Sequence, residues 1–344
     1  MVDQADAAGL PRTRASFTVR TMHRPLARLA CLALLLLALP PALALDDVAL
    51  HPQKVAEGVY TFVGTPGEIS TGNEGFVANG GFIVGPSGVV VVDTGTSYRH
   101  GRRMLDAIAK ITDKPVELVI LTHAVQDFIF GNAAFAERGI PILAHRETAK
   151  LMKARCDHCL ENLRAILGDQ LAGTKLVLPQ REIDSSTTVE AGGRTLDLLF
   201  FGWASTPGDI VVRDKASGVL FAGGMVSIDN VPDIRDSDFE GWQRALGELK
   251  ALQPVQVVPG HGPVSGIEAI AATAGYLDAL DGKMKALYAE STSLMDSVEK
   301  AALPAYSTWP LYATTHRQNA LHRYLQLELQ ELGGDPRSTA LPSR

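Results

Sequence analysis

The stretch Leu121 to Asn132, LTHAVQDFIFGN, sets His123 just past an apolar run and Asp127 four residues further on. Imidazole and carboxylate donors on a tight loop after a strand can converge on one cation, and zinc suits such donors. Val125 and Phe128 stand where further ligands would be expected, and neither has an electron pair to give. His261 in PGHG is another candidate ligand, and Ser205 in ASTPGD is a candidate nucleophile if a histidine and a carboxylate come beside it. Cys156 and Cys159 in RCDHC form a CxxC pair, open to use as a disulfide, free thiols, a redox couple or half of a metal site. A second CxxC is missing from the sequence, which excludes a four-thiolate zinc site.

Each of these side chains also has a plain structural use. A histidine at the end of a buried strand, such as His123, can bond a nearby carbonyl. Asp127 can cap the turn that follows it, and His261 can serve a Gly-rich loop. His145 in ILAHRETAK reads as a helix cap, and His158, inside the CDHC run, as solvent-facing.

The elements that must position these residues follow from periodicity and turn chemistry. GVYTFVG, GFVANGGFIVGPSGVVVVDTG and PVELVILTH are strand-like, with Pro86-Ser87-Gly88 as a hairpin turn. YRHGRRMLDAIAKIT and NAAFAERG read as helices, and ETAKLMKARCDHCLENLRAIL has helical spacing that puts both sulfurs on adjoining positions. A second strand-rich half follows in STTVEAGGRTLDLLFFGW, DIVVRDKASGVLFAGG and PVQVVPGHG. Two strand sets with interspersed helices predict two sheets packed together and covered by helices on both outer faces. Ser265 and Glu268 are placed as a capping box for a helix that buries Ile267, Ile270, Leu277, Leu280, Met284 and Leu287. HRQNALHRYLQLELQEL is a second amphipathic helix, joined to the first through a connection marked by Pro304 and Pro310.

A chain of 344 residues, 46% hydrophobic and 20% charged, can bury a full core. Its net charge of -6, without a long Lys/Arg run, argues against a nucleic-acid surface and for a small-molecule or protein partner. Arg24 and Arg28 precede the apolar run Leu29 to Leu39, and Ala42 and Ala44 then supply small residues before an acidic pair. That pattern predicts a leader over residues 1–44, cleaved after Ala44, with translation starting at Met22 and Cys31 lost with the leader. A periplasmic or secreted protein without a membrane span is the expectation. Residues 45–335 form the domain, and residues 336–344 a flexible tail.

The ordered set GFIVGPSGVVVVDTG, VILTHAVQDFIFGN, STPGDIVV, GVLFAGG and VVPGHG resembles the metallo-β-lactamase superfamily from about Val55 to Ile270. DIRDSDFEGW and HRQNALHRYLQLE are similar to its exported branch linked to quinoprotein relay and sulfur oxidation. The resemblance implies an α+β fold, a four-layer αββα sandwich with C-terminal helices. It also implies one or two zinc ions and a hydrolytic water held by loops. In the family's HxHxDH motif His123 and Asp127 match, whereas Val125 and Phe128 replace histidines. Ser205 stands where a histidine precedes Thr-Pro-Gly-Asp, Gly224 where a bridging carboxylate follows Phe-Ala-Gly, and His261 keeps its ligand position. Asp93 matches a position that supports the ligand loop from behind.

Three uses of this site follow. In the first, most zinc ligands are gone, no cofactor is held, and the sandwich binds a small molecule or a periplasmic protein. In the second, one zinc ion of reduced affinity sits on the incomplete set His123, Asp127 and His261, with water or Gln126 as the missing donors. In the third, a metal-free hydrolase uses Ser205 as nucleophile with His123 or His261 and Asp127, although no GxSxG elbow surrounds the serine.

Overall fold

The computed structural model describes residues 50–339. The expected leader, its cleavage after Ala44 and the start at Met22 lie outside the described residues. The chain runs β1 (Gln53–Ala56), β2 (Val59–Phe62), β3 (Gly80–Val84), β4 (Val89–Val92), α1 (Tyr98–Ala109), β5 (Val116–Ile120), α2 (Gln126–Ile129), α3 (Asn132–Ala136), β6 (Ile142–His145), α4 (Arg146–Leu167) and β7 (Arg181–Ile183). The second half runs β8 (Thr187–Ala191), β9 (Arg194–Leu199), β10 (Val211–Asp214), β11 (Val219–Ser227), α5 (Phe239–Ala251), β12 (Gln256–His261), α6 (Ile267–Ala289), α7 (Leu294–Lys300) and α8 (Arg317–Glu331).

The strands form a seven-stranded sheet, β1-β2-β3-β4-β5-β6-β7, and a five-stranded sheet, β12-β11-β10-β9-β8. Hairpins make the β1–β4 and β8–β11 pairings antiparallel, while β4 through β7, and β11 with β12, are parallel. Side chains alternate across each strand, and in β4 this divides four buried valines between two cores. Val89 and Val91 face α1 and α4 with Met104, Met152 and Leu163, whereas Val90 and Val92 face the other sheet with Leu198, Val212 and Phe221. A third core, with Leu220, Trp242 and Leu277, lies between the second sheet and α5 and α6. Three cores between four layers make the expected α+β αββα sandwich.

The Pro86-Ser87-Gly88 hairpin is present, with the Gly85 N–H donating to Gly88 O at 2.9 Å. His145 caps α4 as expected, its Nδ1 accepting from Glu147 N at 3.2 Å, and His158 faces solvent beside Glu161. Only half of the expected capping box forms. Glu268 accepts from the backbone N–H of Gly266, which is itself the N-cap of α6, and the Ser265 hydroxyl bonds that carboxylate rather than a helix N–H. The connection after α6 holds an additional helix, α7, started by Ser293, whose hydroxyl accepts from Asp296 N at 3.2 Å. Of the expected tail, Pro336–Thr339 forms a 3-10 turn with Arg337 set over the Trp203 ring at 5.9 Å. Among the described residues, no helix is long and apolar enough to cross a membrane.

Candidate functional site

The site is built on the loop after β5, beside the ends of β4, β11 and β12. Asp93 follows β4 with φ of 57°, a left-handed conformation that aspartate tolerates better than most residues. Its buried carboxylate accepts from Thr122 N at 2.8 Å and from Thr122 Oγ1 at 2.7 Å. Asp93 thus braces the loop from behind, where the family resemblance put it. Burial pushes this carboxyl up to about 7, against the pull of the Thr122 bonds.

Because the Thr122 hydroxyl donates to Asp93, it accepts from His123 Nδ1, 2.9 Å away. That assignment puts the proton on Nδ1 and the lone pair on Nε2. Burial holds the imidazole neutral, its pKa lowered to about 3. The sequence allowed a carbonyl partner for His123; the partner is this hydroxyl.

Gly224 in β11 explains where the ring sits. A Cβ added there would lie 2.5 Å from His123 Nε2 and 2.7 Å from its Cδ2, so the imidazole occupies the volume a side chain at 224 would need. Phe128 fills the space beside it. Its fully buried ring packs edge-on against His123 at 4.2 Å and against His261 at 5.4 Å between centroids. The backbone there is fixed as well, since Thr94 donates both its N–H and its hydroxyl to Phe128 O, at 2.8 and 3.1 Å.

Asp127 caps nothing: Val125 is the N-cap of α2 and makes no side-chain bond there. Instead Asp127 Oδ2 lies 2.8 Å from His261 Nε2, at the end of β12. Asp127 and His261 are therefore brought together and joined to each other, while His123 turns to Thr122 and Gly224. Among the described residues, no group of three or more His, Cys, Asp or Glu side chains is arranged to hold a metal ion.

Ser205 shares the cleft but not the expected partners. Its hydroxyl donates to Asp209 Oδ2 at 2.9 Å, and Thr206 adds its N–H at 2.6 Å and its hydroxyl at 2.7 Å to the same carboxylate. Burial still raises the Asp209 pKa to about 6. The hydroxyl bonds neither His123 nor His261, so the expected serine triad is not assembled.

His123, Asp127, Ser205, Thr206, Gly224 and His261 line a cleft of about 300 Å³. Two of its walls were not foreseen. Leu311, with φ of 66°, starts the π-helical turn Tyr312–His316, and the Thr314 hydroxyl there donates to Glu68 Oε1 at 2.8 Å. Asp233, Arg235 and Asp236 form another wall, with Arg235 paired to Asp233 and Asp236 to Arg155. The charge-rich DIRDSD run was a usable signal for that wall; nothing local marked Leu311.

A family model for the metallo-beta-lactamase superfamily matches residues 73–261, more than half of the chain and ending on His261. The chain belongs to that superfamily. Among relatives of this metallo-β-lactamase-fold protein, a linear primary-alkylsulfatase of a Pseudomonas species is 29% identical over 225 residues, 55% of this chain and 42% of that enzyme. The chain thus spans less than half of the alkylsulfatase. A type 2 metallo-beta-lactamase of Bacteroides fragilis is 26% identical over 232 residues, 65% of this chain and 83% of the relative. The solved structure of a metallo-beta-lactamase from Pontibacter korlensis superposes with a TM-score of 0.56 at 23% identity, covering 67% of this chain and 99% of its own. At that identity the likeness speaks for the fold alone.

Proposed function

We propose that this superfamily member binds a ligand in its cleft without a resident dinuclear zinc centre, and does not hydrolyse it. The observation that carries the reading is the apolar and imidazole packing at the former metal position, where Phe128 presses on both histidines and His123 fills the space above Gly224. Catalytic zinc takes three protein ligands besides its water. Here Asp127 and His261 bond each other and His123 Nε2 faces the Gly224 backbone, so the donors do not fit the ion. The cleft residues act through hydrogen bonds and charge instead. Asp127, Asp233, Asp236 and Glu68 outnumber Arg235 on its walls, which favours a small polar ligand with hydrogen-bond donors or positive charge.

The leader-like run Leu29 to Leu39 supports a periplasmic or secreted location, and the branch resemblance supports an accessory role in a quinoprotein-type system. The reading is tested by offering zinc to the purified chain and assaying a chromogenic cephalosporin and a linear alkyl sulfate. Rates equal to buffer are expected. Saturable turnover that a chelator and Asp127→Ala both abolish overturns the proposal.

A further inference from the structure

We propose that Cys156 and Cys159 on α4 form a thiol–disulfide exchange site, with Cys159 as the attacking sulfur and Cys156 as the resolving one. The cysteines do not line the histidine cleft, although Arg235 and Asp236 of its wall act on Cys159, and the inference does not depend on the proposed function. Both cysteines are free thiols, Cys156 buried and Cys159 half-buried. Three residues apart on one helix, their Cα atoms lie about 5 Å apart for a rise of 1.5 Å and 100° per residue. That falls inside the range of about 4.4–6.8 Å that a disulfide spans.

On adjoining positions of one helical turn the two thiols interact, proton sharing from Cys156 favouring a thiolate on Cys159 and pushing the Cys156 thiol up. That interaction, helped by His158 and Arg235 and opposed by burial and Asp236, holds the Cys159 thiol below its ordinary range. At Cys156, Asp157 raises and Arg155 lowers the thiol's pKa. Exposure matches the roles: the outer sulfur can reach a reagent, and the inner one sits in the core with Met152, Leu160 and Leu163.

The reaction balances with a small disulfide as oxidant. The Cys159 thiolate attacks one sulfur of RSSR, forming a mixed disulfide and releasing RS⁻. Cys156 gives its proton to that RS⁻ through solvent and attacks the Cys159 sulfur, releasing a second thiolate that takes a proton from water in exchange for the one Cys159 lost earlier. The sum is dithiol plus RSSR giving an intrahelical disulfide plus two RSH. Helical Cβ atoms three apart lie about 5–6 Å from each other, against about 3.5–4.5 Å across a disulfide, so closure must tighten one turn of α4. A bond closed in that way is readily reduced, which suits reversible exchange better than a permanent staple.

The test treats the reduced full chain with oxidised glutathione and follows intact mass. The parent is expected to lose two hydrogens, keep no adduct and regain them with dithiothreitol. Cys156→Ser should stop at one glutathione on Cys159, and Cys159→Ser should react at least about tenfold more slowly than the parent. Iodoacetamide labelling of the parent, assigned to Cys159 by peptide mass, should rise with pH around a midpoint below that of an ordinary thiol. The proposal is overturned if the parent never closes a disulfide, if Cys159→Ser reacts as fast as the parent, or if labelling follows an ordinary thiol near about 8.5.

Discussion

Substituting Gly224 by Ala sets one methyl group against His123, and the structure gives its consequence. Gly224 lies outside the left-handed region occupied by its neighbour Gly223 (φ 51°), so the backbone itself accepts alanine. The obstacle is the imidazole, whose Nε2 and Cδ2 would lie 2.5 and 2.7 Å from the new Cβ. The ring cannot step aside freely, because Thr122 and Asp93 hold Nδ1 and the residue is 2% exposed. Forcing an extra carbon into such a core costs about 1–3 kcal/mol. Displacing His123 from Thr122 adds about 1 kcal/mol. Gly224→Ala should therefore destabilise by about 2–4 kcal/mol, read from urea unfolding at constant slope. In a His123→Ala background those ring contacts are gone, and the cost of the same methyl should fall below about 1 kcal/mol. Additive effects within about 0.5 kcal/mol would show that the ring does not occupy this volume, and the account of the site would fail with it.

Arg323 is fully buried, with Asp281 at 2.6 Å, Glu240 at 2.9 Å and the Phe239 ring beneath its guanidinium. Arg323→Ala leaves a large void in the core, while Asp281 keeps Lys285 and the half-exposed Glu240 keeps Gln330, so it should cost about 2–5 kcal/mol in urea unfolding; a loss below about 1 kcal/mol contradicts this reading. Asp209, raised from 3.8 to about 6, keeps in the folded chain a proton that the unfolded chain gives up. Its contribution is whole below pH 3.8 and lost above about pH 6, so the stability of the parent relative to Asp209→Asn should fall by up to about 3 kcal/mol as pH rises across that window. Paired urea titrations at the two ends of the window check the sign, and a difference that grows with pH refutes it.

Much of the sandwich was legible because its signals are local. Four consecutive valines in β4 announce a strand covered on both faces, and the Pro86-Ser87-Gly88 turn fixes the hairpin that leads into it. The spacing of Met152, Cys156, Leu160 and Leu163 gives α4 its buried face. Local pattern misled between Gly75 and Asn79, where GFVAN reads as the start of a strand and is a loop that ends before β3. Asn79 holds that loop by accepting from Gly64 N and donating to Pro259 O and Gly262 O, contacts some 180 residues away that no window of sequence contains. In the cleft, residue types told which ligands were missing. They could not tell that His123 would move into the space left at Gly224, or that Ser205 would bond Asp209, since both depend on which side chains the fold makes neighbours.

The claim that this cleft has too few converging donors for zinc is tested most directly by titrating zinc into chelator-treated, dialysed protein in competition with a chromogenic zinc indicator, with Cys156 and Cys159 replaced by serine to silence the thiols. The account predicts that the indicator keeps the metal and that His123→Ala and His261→Ala leave the curve unchanged. A stoichiometric zinc ion withdrawn from the indicator, and returned to it by either histidine substitution, would contradict the account.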